Sequence, residues 1–160
     1  MRTIEGAQSA AGFRFALVVS RYNDFVTDRL LEGALAALAA AGADLERLTV
    51  VRVPGAFEIP IAAQLAAESG VYDAIVCLGC LVRGETLHFE VIASAVSHGL
   101  TTASGVTGVP MAFGVLTTNS IEEALARAGQ GPSNKGWEAA AAAVEMAAVA
   151  SQLARKTPTT

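Results

Sequence analysis

Four short apolar runs punctuate the chain: Phe13–Ser20, Leu48–Val53, Asp73–Gly79 and Val109–Val115. They do not alternate polar and apolar positions, so they predict strands buried on both faces. The stretches between them carry apolar residues every third or fourth position, which predicts helices. Phe25 to about Ala41 is the clearest, with Leu30, Leu31, Ala34, Leu35 and Leu38 on one stripe. Asn23 or Asp24 can cap it and Gly42 ends it. A second helix is predicted over Glu58–Ser69, with Pro60 confined to its first turn and Gly70 as its stop. A third begins near Val91 and runs through His98, followed by a Thr- and Gly-containing loop, Thr101–Gly108. Thr117–Ser120 caps a short helix, Ile121–Ala128; Gly129–Ser133 breaks it, and Asn134 can cap the last helix, Lys135–Leu153. Pro110, near the start of the fourth run, suits an edge strand.

Strand and helix alternate four times and a fifth helix follows. The expected fold class is α/β: a four-stranded parallel sheet with helices on both faces, joined by right-handed crossovers. The pattern gives an N-terminal extension over 1–12, one domain over 13–154 and a frayed tail over 155–160.

Composition adds one element to this picture. Hydrophobic residues make up 52% of the 160 and charged residues only 16%, against about 25% charged in ordinary soluble domains. A small domain so poor in charge is expected to cover part of its outside with copies of itself. The net charge of −4, without a Lys/Arg cluster, argues against nucleic acid or an anionic membrane as partner. The first residues lack the apolar core of a secretory signal, no run is long enough to span a membrane, and the two cysteines fit a reducing, cytoplasmic setting.

In an open parallel sheet, ligands bind beyond the carboxyl ends of the strands. The residues that follow the runs include Tyr22, Ala56, Phe57, Glu58, Cys80, Leu81, Val82, Gly84, Glu85, Thr86, His88 and Phe113. One rim thus gathers aromatics, a carboxylate, hydroxyls and an imidazole, a set suited to a flat heteroaromatic ring plus a phosphate. A glycine-containing turn leading into a helix supplies free N–H groups and the positive end of the helix dipole, which favours phosphate. An imidazole beside it can take up and return a proton near pH 7.

Each residue also has a plain structural reading. Tyr22 and Phe57 can be hinge packing, Glu58 can complement its helix N-terminus, and Arg127 can complement a helix C-terminus. Glu85 suits a phosphate seat only if backbone N–H groups bind and its side chain turns to water. Cys77-Leu78-Gly79-Cys80 is a CxxC placed in a strand, where a spacing of three puts the thiols on opposite faces and argues against a redox pair, which needs a helix start. His88-Phe89-Glu90 lacks the cysteine pair that follows it in zinc deaminases.

Four motifs occur in order: Val53–Pro60 (VPGAFEIP), Gly84–Phe89 (GETLHF), Gly114–Thr118 (GVLTT) and Asn134-Lys135-Gly136. On these the chain, from about Phe13 to Leu153, resembles the lumazine synthase family. The resemblance implies a flavodoxin-like three-layer sandwich. It implies the condensation of 5-amino-6-(D-ribitylamino)uracil with 3,4-dihydroxy-2-butanone 4-phosphate to 6,7-dimethyl-8-ribityllumazine, phosphate and water, with no metal and no organic cofactor.

Carried over position by position, the resemblance sets the pyrimidine against Tyr22, Ala56, Phe57, Glu58, Cys80, Leu81 and Val82, with Phe113 from a neighbouring subunit. Gly84, Glu85 and Thr86 would seat the phosphate, Arg127 and Lys135 of the neighbour would clamp it, and His88 would shuttle protons. It further implies pentamers, a 60-subunit icosahedral shell built from them, and riboflavin synthase as a candidate partner. Two departures stand out. The stacking residue, often Phe or Trp, is Tyr22, and the hinge Gly129–Ser133 lacks the family's usual lysine and is not lengthened. The alternatives are a non-catalytic lumazine- or flavin-binding or shell-forming member, and a flavodoxin-like carrier. A receiver domain lacks its acidic cluster here.

Overall fold

In a computed structural model, residues 1–154 are described; the tail expected to fray over 155–160 lies outside them. The strands are β1 (Phe15–Ser20), β2 (Thr49–Val53), β3 (Ala74–Val82) and β4 (Met111–Thr118), and the helices α1 (Asp24–Ala40), α2 (Ile59–Glu68), α3 (His88–Thr107), α4 (Ile121–Arg127) and α5 (Lys135–Ala154). All strand pairs are parallel, in the order β2-β1-β3-β4. The edge position read from Pro110 holds: β4 is an outer strand, and the Pro110 carbonyl, just before it, accepts from the N–H of Ile75 at 2.9 Å.

Two cores sandwich the sheet. Phe15, Leu17, Val19, Val76, Leu78 and Cys80 face α1, α4 and α5, whereas Ala16, Val18, Ile75, Cys77 and Val115 face α2 and α3. Continuous burial of β1 and of the first seven residues of β3 explains why their sequences run apolar without alternation. The helices approach closely where side chains are small. A Cβ on Gly136 of α5 would come within 1.9 Å of the Leu30 carbonyl oxygen of α1, and one on Gly99 of α3 within 2.9 Å of Pro60 of α2. The N-terminal segment lies along α5: Gln8 hydrogen-bonds Glu145, and Gln152 donates to the Glu5 carbonyl at 2.8 Å.

The structure corrects three boundaries. β3 continues through Cys80, Leu81 and Val82, because β4 also extends, to Thr118, and pairs it there. α3 begins at His88, before Val91. The expected loop over Thr101–Gly108 is helix as far as Thr107. Leu100 and Ala103 bury one face, and the hydroxyls that argued for a loop fold back onto carbonyls four residues earlier, Thr101 onto Ser97 at 2.8 Å and Thr107 onto Ala103 at 2.7 Å. Gly108, at φ 71°, then ends the helix.

Candidate active site

The carboxyl ends of β1, β2 and β3 are laced together by hydrogen bonds. The N–H of Arg21 donates to the Val53 carbonyl at 2.8 Å and that of Tyr22 to the Pro54 carbonyl at 3.1 Å. Asn23 Nδ2 donates to the Cys80 carbonyl at 2.9 Å. Asn23 holds a left-handed backbone, φ 63°, and its side chain makes no cap bond to α1. The expectation that it caps the helix through its side chain therefore gives way to a tether across the rim.

On this rim Tyr22 is 71% exposed and Phe57 60% exposed. Both rings are large apolar surfaces left open on the rim. Ala56 is buried in the core beneath, and Glu58, half-buried, opens the turn into α2. Gly55 leaves room for the Glu58 carboxylate, whose Oε2 would stand 3.2 Å from a Cβ placed there. Cys80 presents only its backbone, since its side chain is buried against α1 and α5; Leu81 and Val82 are half-buried on opposite faces of the strand end.

The loop from Arg83 to Leu87 follows, exposed throughout. His88 opens α3, and its N–H donates to Thr86 Oγ1 at 3.3 Å. The N-terminus of a 20-residue helix thus points at Gly84–Thr86, with the His88 imidazole at the same exposed turn. A Cβ on Gly84 would meet nothing within 4 Å, and its φ is not positive. Neither packing nor backbone conformation in this chain calls for glycine there, whereas close approach of a ligand to the backbone would.

Phe113, Arg127 and Lys135 lie elsewhere, and together. They line a cleft of 410 Å³ along β4 and the start of α5, with Thr117, Glu138 and Ala142; none of Tyr22, Phe57, Glu58 or His88 reaches it. Arg127 turns back on its own helix, Nη1 donating to the Glu123 carbonyl at 3.1 Å, and Lys135 Nζ pairs with Glu138 at 2.9 Å. Both cations are held by weak local partners that a doubly charged phosphate can outbid. Lys135 owes its position to its neighbours in sequence. Asn134 is buried and saturated: Oδ1 accepts from Gly136 and Trp137 at 2.7 and 3.2 Å, and Nδ2 donates to the carbonyls of Gly129 and Arg29 at 2.7 and 3.1 Å. The cap read from Asn134 is present. Two residues of this motif are structural, and the lysine between them faces the cleft.

Arg83 and Asn119 were not among the expected site residues. The Arg83 guanidinium pairs with Glu90, donates to Asn119 Oδ1 at 3.0 Å, and lies 4.9 Å from the centre of the Phe89 ring. A lone arginine after a strand carries no signal in sequence until its partners are folded around it.

The CxxC reading holds: Cys77 and Cys80 face opposite cores, and burial pushes their thiols up to about 12 and about 11. Among the described residues no group of three His, Cys, Asp or Glu side chains is placed to share a metal ion, and no helix is long and apolar enough to cross a membrane.

An open parallel α/β sheet with exposed aromatics, a glycine-containing loop and an imidazole on its carboxyl rim defines the class. Comparison with known proteins narrows it: the family model described as 6,7-dimethyl-8-ribityllumazine synthase matches residues 12–151. A 6,7-dimethyl-8-ribityllumazine synthase from Desulfatibacillum aliphaticivorans is 50% identical over 151 residues, 94% of this chain and 97% of its own. Those from Syntrophus aciditrophicus (strain SB) and Nitratidesulfovibrio vulgaris (strain DP4) are 52% identical over 142 residues (89% and 92% of the two chains) and 50% identical over 153 (96% and 98%). The chain belongs to the 6,7-dimethyl-8-ribityllumazine synthase family.

Proposed function

We propose that this chain is a transferase of riboflavin biosynthesis, condensing 5-amino-6-(D-ribitylamino)uracil with 3,4-dihydroxy-2-butanone 4-phosphate, and that each active site is shared between two subunits. Family membership over nearly the whole chain supports the reaction. The division of the rim supports the shared site. Tyr22, Phe57, Glu58 and His88 stand at the ends of β1 to β3, while Phe113, Arg127 and Lys135 share a separate cleft on β4 and α5.

In this reading the pyrimidine lies against Tyr22 and Phe57, with Ala56, Glu58 and the backbone of Cys80–Val82 along it and the neighbour's Phe113 over it. The phosphate sits on Gly84–Thr86 at the α3 N-terminus, the Glu85 side chain turned to water, and the neighbour's Arg127 and Lys135 close over it. The substrate amine attacks the butanone ketone and water leaves as the imine forms. Arg127 and the helix N-terminus stabilise the charge that gathers on the departing phosphate. His88 moves protons between carbon and oxygen, and the ribitylamino nitrogen closes the ring on the carbonyl carbon left by phosphate loss, expelling a second water to complete the lumazine. Holding two reactants in register supplies much of the acceleration.

The same surfaces support self-association. Ile61 and Leu65 on α2, Val91 and Val106 on α3, and Phe113 on β4 are each at least half exposed, which fits a chain of low charge that packs on copies of itself. We take the assembly to be a pentamer, sixty subunits forming a shell, in the cytoplasm, with riboflavin synthase as the consumer of the product. Mixing the protein with both substrates should release phosphate and generate the fluorescence of the lumazine. No product at any protein concentration would end the catalytic reading and leave a binding or shell-forming member. Light scattering measures the assembly.

A further inference from the structure

We infer that Arg83 is a positioning residue, a clasp that fixes the Gly84–Thr86 loop against β4; the inference rests on the function proposed above. Among the described residues, every hydrogen bond made by residues 84–88 stays within the loop or α3. The loop is exposed from end to end, so packing does not hold it either. Its connection to the rest of the rim runs through Arg83. The Arg83 N–H donates to the Thr118 carbonyl at 2.8 Å. Its Nε donates to Asn119 Oδ1 at 3.0 Å, its Nη1 pairs with Glu90 in the first turn of α3, and its guanidinium lies 4.9 Å from the Phe89 ring centre.

The far end of the clasp is itself fixed. The Asn119 N–H donates to Glu123 Oε2 at 2.9 Å, and the Glu123 N–H donates to Ser120 Oγ at 3.1 Å, so Asn119 is anchored to the start of α4. One side chain therefore joins the end of β3, the start of α3 and the β4–α4 connection. An exposed ion pair alone contributes little, but these contacts converge from both sides of a loop that has no other anchor. A phosphate seat of backbone N–H groups works only within a narrow tolerance of geometry. With Nε and Nη1 both engaged, Arg83 acts on the seat through the loop, not as a ligand. Lysine, a point charge without the planar fork, can keep one contact but not all of them.

The test compares wild type, Arg83→Ala, Arg83→Lys, Glu90→Gln and the Arg83→Ala/Glu90→Gln double variant. In Arg83→Ala the KM for the phosphate substrate should rise roughly 5-fold or more while the KM for the pyrimidine moves less than about 2-fold. Arg83→Lys should recover part of the loss. Glu90→Gln should reproduce part of it, and the double variant should be no worse than Arg83→Ala, because both act through one clasp. Amides of residues 84–90 should exchange faster in Arg83→Ala, with α5 unaffected. Additive losses in the double variant would make Arg83 a direct ligand and overturn the inference. Faster exchange with an unchanged KM would reduce Arg83 to a structural contact and overturn it too. If the wild-type chain makes no product, the proposed function fails separately, and unchanged exchange in Arg83→Ala still overturns the clasp.

Discussion

Asn23 donates from Nδ2 to the carbonyl oxygen of Cys80 across 2.9 Å, joining the turn after β1 to the end of β3 directly beside Tyr22. Asn23 is also the one non-glycine residue with positive φ among the described residues, at 63°. Asparagine tolerates this left-handed region better than most residues. Asn23→Gly should keep the backbone and lose the tether; Asn23→Ala should lose both. We expect the alanine variant to cost about 1–2 kcal/mol in denaturant midpoint and the glycine variant less. Both should raise the KM for the pyrimidine, because Tyr22 loses its neighbour's anchor. Equal losses of stability would mean that backbone conformation contributes nothing.

Gly84→Ala separates a seat for ligand from a turn for the fold. The added Cβ meets nothing within 4 Å in the chain, and φ is not in the left-handed region. The melting temperature should stay unchanged, since exposed substitutions away from special features fall within about 0.5 kcal/mol. The KM for the phosphate substrate should rise. Gly136→Ala is the contrast: its Cβ would stand 1.9 Å from the Leu30 carbonyl oxygen, so α1 and α5 must part and thermal stability should drop sharply. A Gly84→Ala enzyme with wild-type KM would remove Gly84 from the phosphate seat.

A site divided between subunits can be tested by mixing two impaired proteins. His88→Ala should slow turnover about 10- to 100-fold, at or below the usual range for loss of a general acid–base group, because the substrates carry part of the proton transfer. Arg127→Ala should act chiefly on the phosphate substrate, and at low concentrations of it should be nearly inactive. If His88 and Arg127 of one site come from different chains, random co-assembly of the two variants gives about a quarter of the sites both native groups. Activity at low phosphate substrate should then exceed that of either variant alone. No recovery in assemblies shown to be mixed would place both residues in one chain's site, against the separation of the Arg127 cleft from the His88 rim.

The sheet was legible because β1 and β3 are apolar without interruption and α1, α2 and α4 each end near a glycine or proline break, at Gly42, Gly70 and Gly129–Ser133. The end of α3 was not, because Thr and Ser favour loops unless their hydroxyls find carbonyls one turn back, as Thr101 and Thr107 do. That the aromatics and the glycine-containing loop lie on one rim could be read from position after a strand. That Phe113, Arg127 and Lys135 share a cleft came only with the family resemblance and not from position in the chain, since they lie on three separate elements that the docking of α5 along β4 brings together. The roles of Asn23 and Arg83 were likewise invisible, because each depends on partners 36 to 57 residues away.

The two thiols should give the protein an alkaline limit. Burial holds Cys77 protonated up to about 12 and Cys80 up to about 11, against 9.0 for a free thiol. The unfolded chain therefore releases these protons first. Stability should be independent of the thiols below pH 9 and should fall as pH rises from there toward 11 and 12. Each thiol adds a slope of at most about 1.4 kcal/mol per pH unit within its window. Cys77→Ala isolates one of them. At neutral pH it should cost about 1 kcal/mol for the small cavity it leaves, but above pH 9 its stability curve should be flatter than that of wild type. Denaturant midpoints from pH 8 to 11 supply the comparison, and the difference between the two proteins cancels the tyrosines and lysines that titrate in both. Parallel curves would mean that Cys77 ionises as easily in the folded chain as in the unfolded one, which its place between the sheet and α2 and α3 forbids.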